Sequence, residues 1–288
     1  MVHELISNKL QVKIDALGAE LCSVKNNSGI EFMWQANPNV WARHAPVLFP
    51  IVGKLKNDSY SFNGQVYNLP QHGFARDMVF ERLEGNSTGC VFRLTESEKT
   101  RTLYPFPFAL DIAYHLEKDV LTISYAVNNA GSKELYFSIG AHPAFNVPLI
   151  AGETYEDYRL GFTRNTFEKS VLRDGLLLDE KITWQADQEQ ISLNTALFDA
   201  DALVFENGQI DEISLFSTKN SHKITLNCKN WPFFGIWSKK GYREFVCLEP
   251  WFGIADSLNG GADISQKKGI ISLPANGRFN CHYSIRFS

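Results

Sequence analysis

The chain has 288 residues, of which 28 are Lys or Arg and 32 are Asp or Glu, so its formal net charge is −4. A mildly acidic chain has no electrostatic reason to bind nucleic acid or an anionic membrane. At this length, folding buries about 75% of the unfolded surface, so no metal or disulfide staple is needed. The five cysteines have no CxxC spacing, which argues against a disulfide framework or a zinc–thiolate site and favours a reducing compartment.

No targeting or membrane signal is visible. The first residues carry charges and lack the apolar stretch of a signal peptide. No run approaches the roughly 20 apolar residues that span a bilayer. We therefore expect a cytoplasmic protein without a membrane partner. Because no linker, charge run or repeat divides the sequence, we also expect a single domain over residues 1–288.

Alternation of apolar and polar residues with a period of two predicts strands along most of the chain. In chain order these runs are residues 10–14, 60–62, 65–67, 108–116, 121–127, 211–216, 223–228 and 279–287. Asn63-Gly64 favours a type I′ hairpin turn, and the only helix candidate is residues 193–198. Since the strand–helix alternation of a parallel α/β fold is missing, the pattern predicts an all-β protein, a large antiparallel sandwich with few short helices.

The positions of the histidines in the strand pattern distinguish those expected to face solvent from candidates for a functional site. His115 and His282 fall in the polar phase of their strands, so we expect them to face solvent. His72 lies in QHGFARD and His142 in GAHPAFN, where glycine and proline neighbours indicate special backbone conformations. Functional groups concentrate in such loops, so both are site candidates. The alternative is that each is a hydrogen-bonded structural histidine.

Glu249 is the most informative acidic residue, because it lies in the apolar run FVCLEPWF. A carboxylate is costly to bury unless it is paired or used, and burial would tune its pKa for proton transfer. The alternative is an outward-pointing side chain on an edge strand. Lys54, Arg43 and Arg76 are weaker candidates for ligand contacts. The sequence has no Walker loop, no GxGxxG before a helix and no GxSxG elbow.

Several longer segments resemble one enzyme family. The runs HAPVLFPIVGKLKND, LPQHGFARD, IGAHPAFNVP and LEPWFGIAD are similar to those of the aldose 1-epimerase (galactose mutarotase-like) superfamily, in its LacX-like branch. The resemblance extends from about residue 10 to the carboxy-terminal strand. It implies a β-supersandwich with an open sugar-binding cleft.

The resemblance also implies roles for the catalytic candidates. Glu249 would be the general base that takes the proton of the anomeric hydroxyl, and His142 the general acid that protonates the ring oxygen. The ring opens, the C1–C2 bond rotates and the ring recloses on the other face. His72 would hydrogen-bond the ring oxygen or a neighbouring hydroxyl. The reaction requires no metal or other cofactor.

Substrate contacts are implied in the same way. Lys54 occupies the position where mutarotases have arginine. A lysine cannot donate two parallel hydrogen bonds to one partner, as a guanidinium can. Asp201 is the candidate for gripping sugar hydroxyls. The candidates for an apolar face against the pyranose are Trp41, Phe145, Trp237 and Trp251.

Three hypotheses follow from these residues. The first is an isomerase that interconverts the anomers of a free or phosphorylated aldohexose, in which Arg43, Lys54 and Arg76 would surround a phosphate. The second is a non-catalytic carbohydrate-binding protein on the same scaffold. The third is a metal enzyme with a triad of two histidines and one carboxylate, formed by His72, His142 and Glu249. The expected partner is a small sugar, and no oligomeric state is predicted.

Overall fold

Strands dominate the computed structural model, which describes residues 1–288. The strands in chain order are β1 (Val2–Ile6), β2 (Leu10–Asp15), β3 (Glu20–Asn26), β4 (Val47–Leu48), β5 (Ser59–Phe62), β6 (Gln65–Asn68), β7 (Glu81–Gly85), β8 (Gly89–Thr95), β9 (Phe108–Glu117), β10 (Val120–Asn129), β11 (Leu135–Phe137), β12 (Ile139–Ala141), β13 (Ala144–Asn146), β14 (Tyr158–Gly161), β15 (Thr166–Arg173), β16 (Leu176–Gln185), β17 (Gln190–Ser192), β18 (Leu203–Glu206), β19 (Glu212–Ser217), β20 (Lys223–Asn227), β21 (Phe233–Trp237), β22 (Phe245–Phe252), β23 (Ile271–Leu273) and β24 (Arg278–Phe287). The one α-helix is α1 (Glu98–Leu103), and the 3₁₀ turns are Lys56–Asp58, Ala75–Asp77, Tyr155–Asp157, Thr195–Phe198 and Ile264–Gln266.

Two large sheets form the body of the molecule. The first has nine strands in the order β17-β14-β19-β20-β24-β10-β9-β8-β7. The second has eight, in the order β16-β15-β18-β21-β22-β12-β4, with β13 also paired to β22. Neighbouring strands run antiparallel in both. The predicted all-β antiparallel sandwich is therefore confirmed.

The strongest periodic runs form the predicted strands. Strands β9 and β10 make the expected hairpin, with Phe108 opposite Asn129 and Glu117 opposite Val120, and β24 pairs with β10 along its length. Strands β5 and β6 flank the predicted tight turn, where Asn63 and Gly64 both have positive φ angles. Both turn positions of a type I′ hairpin require positive φ, which asparagine and glycine adopt most easily.

The helices differ from the sequence expectation. The helical candidate at residues 193–198 is only a 3₁₀ turn, Thr195–Phe198. Helix α1 was not predicted, although its amino terminus carries a capping signal. The Ser97 side chain accepts a hydrogen bond from the Thr100 backbone N–H, and the Thr100 side chain caps the Ser97 N–H in return. Such reciprocal bonds satisfy donors that a helix leaves free at its start. No helix has the length and hydrophobicity of a transmembrane segment.

The eight-stranded sheet is buried on both faces near its centre, and this positions the site. A core of 65 buried residues includes alternate residues of its strands, such as Phe234 and Ile236 of β21. The intervening residues point to the other face. There they join two smaller apolar clusters, one containing Leu48 and Trp251 and the other containing Phe245. Since side chains alternate between the faces of a strand, one face packs in the sandwich and the opposite face is available to form a cleft.

Candidate active site

Strand β22 carries the central acidic residue of the site. Val246 and Leu248 belong to the main core, so Cys247, Glu249 and Trp251 point to the opposite face. The Glu249 side chain is 2% exposed and faces a cleft of about 570 Å³. This volume lies in the range of small-molecule sites. The alternative of an outward-pointing Glu249 on an edge strand is therefore wrong, since β22 lies between β21 and β12.

The His142 imidazole is the nearest titratable group to this carboxyl group. Its Nε2 lies 3.2 Å from Glu249 Oε2, but the contact lacks hydrogen-bond orientation, and both Glu249 Oε2 and His142 Nδ1 are without partners. The Trp41 ring stacks on the imidazole at 5.0 Å between centroids, and Trp237 meets it edge-on at 5.7 Å. Buried polar atoms normally have partners, so these two are suited to receive the polar groups of a ligand.

Burial drives both groups towards their neutral forms. Desolvation, together with the smaller effect of the positive charges of Arg76 and Arg43, lowers the pKa of His142 to about 3. Desolvation raises the pKa of Glu249 well above its ordinary value of 4.5, opposed by the Trp251 indole and reinforced by the charge of Asp201. Low polarity disfavours the charged form of either group. Burial in this site therefore favours a neutral imidazole beside a protonated carboxyl group.

His72 lies at the same cleft, with its Nε2 at 3.3 Å from the side-chain amide of Gln71. The Gly53 backbone N–H donates to its Nδ1 at 3.1 Å, so the neutral ring carries its proton on Nε2. Burial, with the neighbouring His142 ring, holds the pKa of His72 well below 6.5. The residue has a φ of +67°, a conformation uncommon outside glycine. The two imidazole centroids lie 5.6 Å apart.

Two of the three predicted cations line the cleft. Lys54 Nζ lies 3.4 Å from the carbonyl oxygen of Asp174. The Arg76 guanidinium donates through Nη2 to the Gln71 carbonyl at 2.6 Å, while its buried Nε has no partner. Arg43 is not in the cleft wall, because it pairs with the Asp77 carboxylate at 2.9 Å. Its charge still acts on both site histidines.

Asp201 stands at the cleft wall with an exposed side chain. Its only side-chain hydrogen bond is with the backbone N–H of the next residue, Ala202, at 2.7 Å. Its φ is +94°. Non-glycine residues held in such rarely populated conformations cluster at functional sites, so the position is consistent with contact to a ligand.

The Trp251 indole forms part of the cleft floor and depends on two glycines. A Cβ atom at Gly235 would lie 2.3 Å from Cη2 of the indole, and one at Gly140 would lie 2.6 Å from its Cδ1. Both glycines lie on strands that flank β22, so the ring lies flat across three strands. Any larger residue at either position would push the ring into the cleft.

Phe145 is a correction to the sequence prediction. It has no exposed surface, belongs to the main core and contacts Phe287 with ring centroids 6.4 Å apart. Its neighbour Ala144 instead faces the cleft-side cluster. Because side chains alternate along β13, Phe145 points away from the face on which Ala144 lies. The prediction that Phe145 contacts a sugar is therefore wrong.

Three cleft residues with polar or charged side chains were not predicted as ligand contacts: Gln71, Asp174 and Lys239. Gln71 adjoins His72, so the motif containing that histidine was the signal. Asp174 lies in the turn between β15 and β16. Lys239 follows β21 and donates to the Val40 carbonyl at 2.6 Å. Its sequence position carries no signal, because only the strand pairing brings it to the cleft.

One group of side chains has metal-ligating chemistry. A donor atom from each of His142, Cys247 and Glu249 lies within 4.8 Å of the other two, and all three residues are buried. The triad considered from sequence contained His72 instead of Cys247. The Nδ1 of His72 is already engaged by Gly53.

Comparison with known proteins agrees with this architecture. The family model described as aldose 1-epimerase matches residues 1–269. The chain is 32% identical over 283 residues to the chromosomal LacX protein of Lactococcus lactis subsp. lactis, covering 95% of each. A galactose mutarotase related enzyme from Lactobacillus acidophilus superimposes with a TM-score of 0.96 at 37% identity, over 100% of this chain and 97% of that one. A galactose mutarotase-like protein from Lactobacillus casei ATCC 334 gives 0.92 at 28% identity, over 100% of both chains. With the fold, the family model and the sequence relatives in agreement, the chain belongs to the aldose 1-epimerase family.

Proposed function

We propose that the protein is an aldose 1-epimerase that interconverts the α and β anomers of an aldohexose or its phosphate. One observation carries the proposal: His142 Nε2 and Glu249 Oε2 lie 3.2 Å apart at the base of an accessible cleft, and neither residue has its polar atoms fully satisfied. We call these two residues the acid–base pair. Anomer exchange needs one proton removed and one donated at neighbouring oxygens, which such a pair can do.

The reaction is a balanced proton exchange. Glu249 takes the proton from the anomeric hydroxyl while protonated His142 gives one to the ring oxygen, and the C1–O5 bond breaks to give the open-chain aldehyde. Rotation about C1–C2 presents the other carbonyl face, and the steps reverse. The pair therefore carries one exchangeable proton through the cycle. No covalent intermediate forms.

The protonation that burial favours in the acid–base pair fits this cycle after one internal transfer. Burial favours a protonated Glu249 and a neutral His142, which is the state of the pair beside the open-chain aldehyde. His142 Nε2 and Glu249 Oε2 are 3.2 Å apart, so once the groups reorient into a hydrogen bond the proton moves from the carboxyl group to the imidazole and gives the state that opens a ring. The negative charge of Asp201 makes Glu249 a stronger base, while the nearby arginines make protonated His142 a stronger acid.

The remaining groups position the sugar. The Nε2–H of His72 donates to the ring oxygen or an adjacent hydroxyl, and the Asp201 carboxylate accepts from sugar hydroxyls. The Trp251 ring supports the apolar face of the pyranose. Lys54 and Arg76 supply positive charge at the wall, which suits either hydroxyls or a phosphate.

Exchange NMR tests the proposal directly. Saturation transfer between anomers is measured for glucose, galactose and glucose 6-phosphate with the native protein and with His142→Asn and Glu249→Gln. Each substitution should lower the exchange rate by about 10² to 10⁴, with the fold retained. Matched controls are His115→Asn and Glu117→Gln, which alter exposed residues of β9 and should leave the rate unchanged.

Two outcomes would contradict the proposal. Full activity in either site variant would remove that residue from the reaction. Saturable sugar binding without catalysed exchange in the native protein would instead identify a carbohydrate-binding protein on this scaffold.

A further inference from the structure

Cys247 lies beside the acid–base pair but has no part in the proposed reaction. It precedes Glu249 by two residues on β22, so both side chains point to the same face of the sheet. It is fully buried and does not itself line the cleft. One donor atom of Cys247 nevertheless lies within 4.8 Å of donors from His142 and Glu249. The three residues together offer sulfur, nitrogen and oxygen.

The spacing of these donors is close to that of a tetrahedral zinc site. Bond lengths of about 2.0 to 2.1 Å to nitrogen or oxygen and about 2.3 Å to sulfur place N and O ligands about 3.3 Å apart, and S and N about 3.6 Å apart. His142 Nε2 and Glu249 Oε2 are already 3.2 Å apart. Since the donor atoms of the three residues lie within 4.8 Å of one another, the thiol sulfur needs to approach the other two by roughly 1.2 Å or less to complete the third ligand.

The charges of the three ligands match a divalent cation. Glu249 Oε2 is buried without a hydrogen-bond partner, so it is free to act as a ligand. One thiolate and one carboxylate would balance the two positive charges of the metal, and a neutral assembly costs less to bury than an isolated charge. Sulfur with imidazole selects zinc over magnesium or calcium, which prefer oxygen ligands. Only three protein ligands are present, so the fourth position opens to the cleft, as in zinc sites that keep an exchangeable ligand.

We propose that His142, Cys247 and Glu249 bind Zn²⁺, with the fourth position facing the cleft, and that zinc bound there blocks anomer exchange. On entry the metal displaces the thiol and carboxyl protons to solvent, with no change in oxidation state. It occupies the lone pairs that the acid–base pair uses for proton transfer, so inhibition is reversible and competes with the sugar. The inhibitory consequence rests on the proposed function, whereas the binding does not.

Binding is tested with the metal alone. Zinc affinity is measured by competition with a chromophoric chelator, and Co²⁺ serves as a spectroscopic probe, because thiolate coordination gives a charge-transfer absorption. The native protein should bind one Zn²⁺ per chain and show this absorption with Co²⁺. Cys247→Ala should bind Zn²⁺ at least about tenfold more weakly, since loss of even an outer-shell partner costs 10- to 100-fold in affinity. Cys281→Ala, at a half-buried cysteine outside this group, should bind as the native protein does.

Activity supplies a second, separable readout. Zinc should abolish exchange in the native protein, a chelator should restore it, and Cys247→Ala should keep its exchange activity at zinc concentrations that inhibit the native chain. Equal zinc affinity in Cys247→Ala and the native chain, or cobalt bound without thiolate absorption, would overturn the proposal. If the alanine variant fails to fold, Cys247→Ser and the cobalt spectrum of the native protein decide the question. A native protein without epimerase activity would still be tested by the metal titration.

Discussion

The protonation of His142 can be measured through its effect on stability. Burial lowers its pKa from 6.5 to about 3. As the pH falls below 6.5, the unfolded chain binds a proton at this residue and the folded chain does not, so the stabilisation present above pH 6.5 is lost towards pH 3. Between pH 8 and pH 5 the loss amounts to about 2 kcal/mol of unfolding free energy.

The assay compares urea unfolding at these two pH values for the native chain and His142→Asn. The asparagine side chain does not titrate, so the free energy of unfolding of the variant should fall by about 2 kcal/mol less than that of the native chain. His72 adds its own pH dependence to both proteins and cancels in the comparison. His115→Asn is the matched control, because the His115 side chain is exposed to solvent.

An unchanged pH dependence in His142→Asn would refute the reasoning. It would mean that the pKa of His142 is the same in the folded and the unfolded chain. If His142 were instead protonated in the folded chain, in an ion pair with Glu249 across the 3.2 Å contact, the sign would reverse, and the native chain would gain about 2 kcal/mol relative to the variant between pH 8 and pH 5.

Three further predictions concern catalysis and the fold. Burial lowers the pKa of the imidazole and raises that of the carboxyl group in the acid–base pair. As the pH is lowered from 7 to about 5, kcat/KM should therefore stay level, rather than fall around the ordinary histidine pKa. A fall in kcat/KM with a midpoint near pH 6.5 would contradict this. In Gly235→Ala the new Cβ would lie 2.3 Å from the Trp251 ring. The substitution should displace that ring and lower kcat/KM by about tenfold or more. The control Gly261→Ala adds a Cβ with no atom within 4 Å and should leave kcat/KM unchanged. Ser97→Ala removes a helix cap and should lower the unfolding free energy by about 1 kcal/mol at unchanged kcat/KM; an equal stability in urea unfolding would show that the cap is not needed.

The fold could be predicted where local signals were strong. Period-two runs and the Asn63-Gly64 turn specify hairpins, because both depend only on residues close in sequence. Helix α1 was missed since six residues give too short a pattern for helical periodicity, and its capping signal uses Thr100 in place of the usual glutamate or glutamine.

The site was predictable in its motifs but not in its assembly. Glycine and proline around His72 and His142, and apolar residues around Glu249, indicated unusual environments. Their convergence depends on which strands pair, and β12 and β22 are distant in sequence. The error at Phe145 has the same origin. An aromatic residue near a site motif has equal access to either face until the sheet fixes its phase.

The two faces of β22 have a consequence for how members of such a fold diverge. Residues such as Val246 and Leu248 hold the sandwich together, while alternate positions meet whatever enters the cleft. Substitutions at well-separated positions with no shared partners usually have independent effects. Substitutions at the cleft-facing positions of β22 can therefore change the sugar preference while the core-facing positions stay the same. A single strand can acquire a new specificity without loss of the fold.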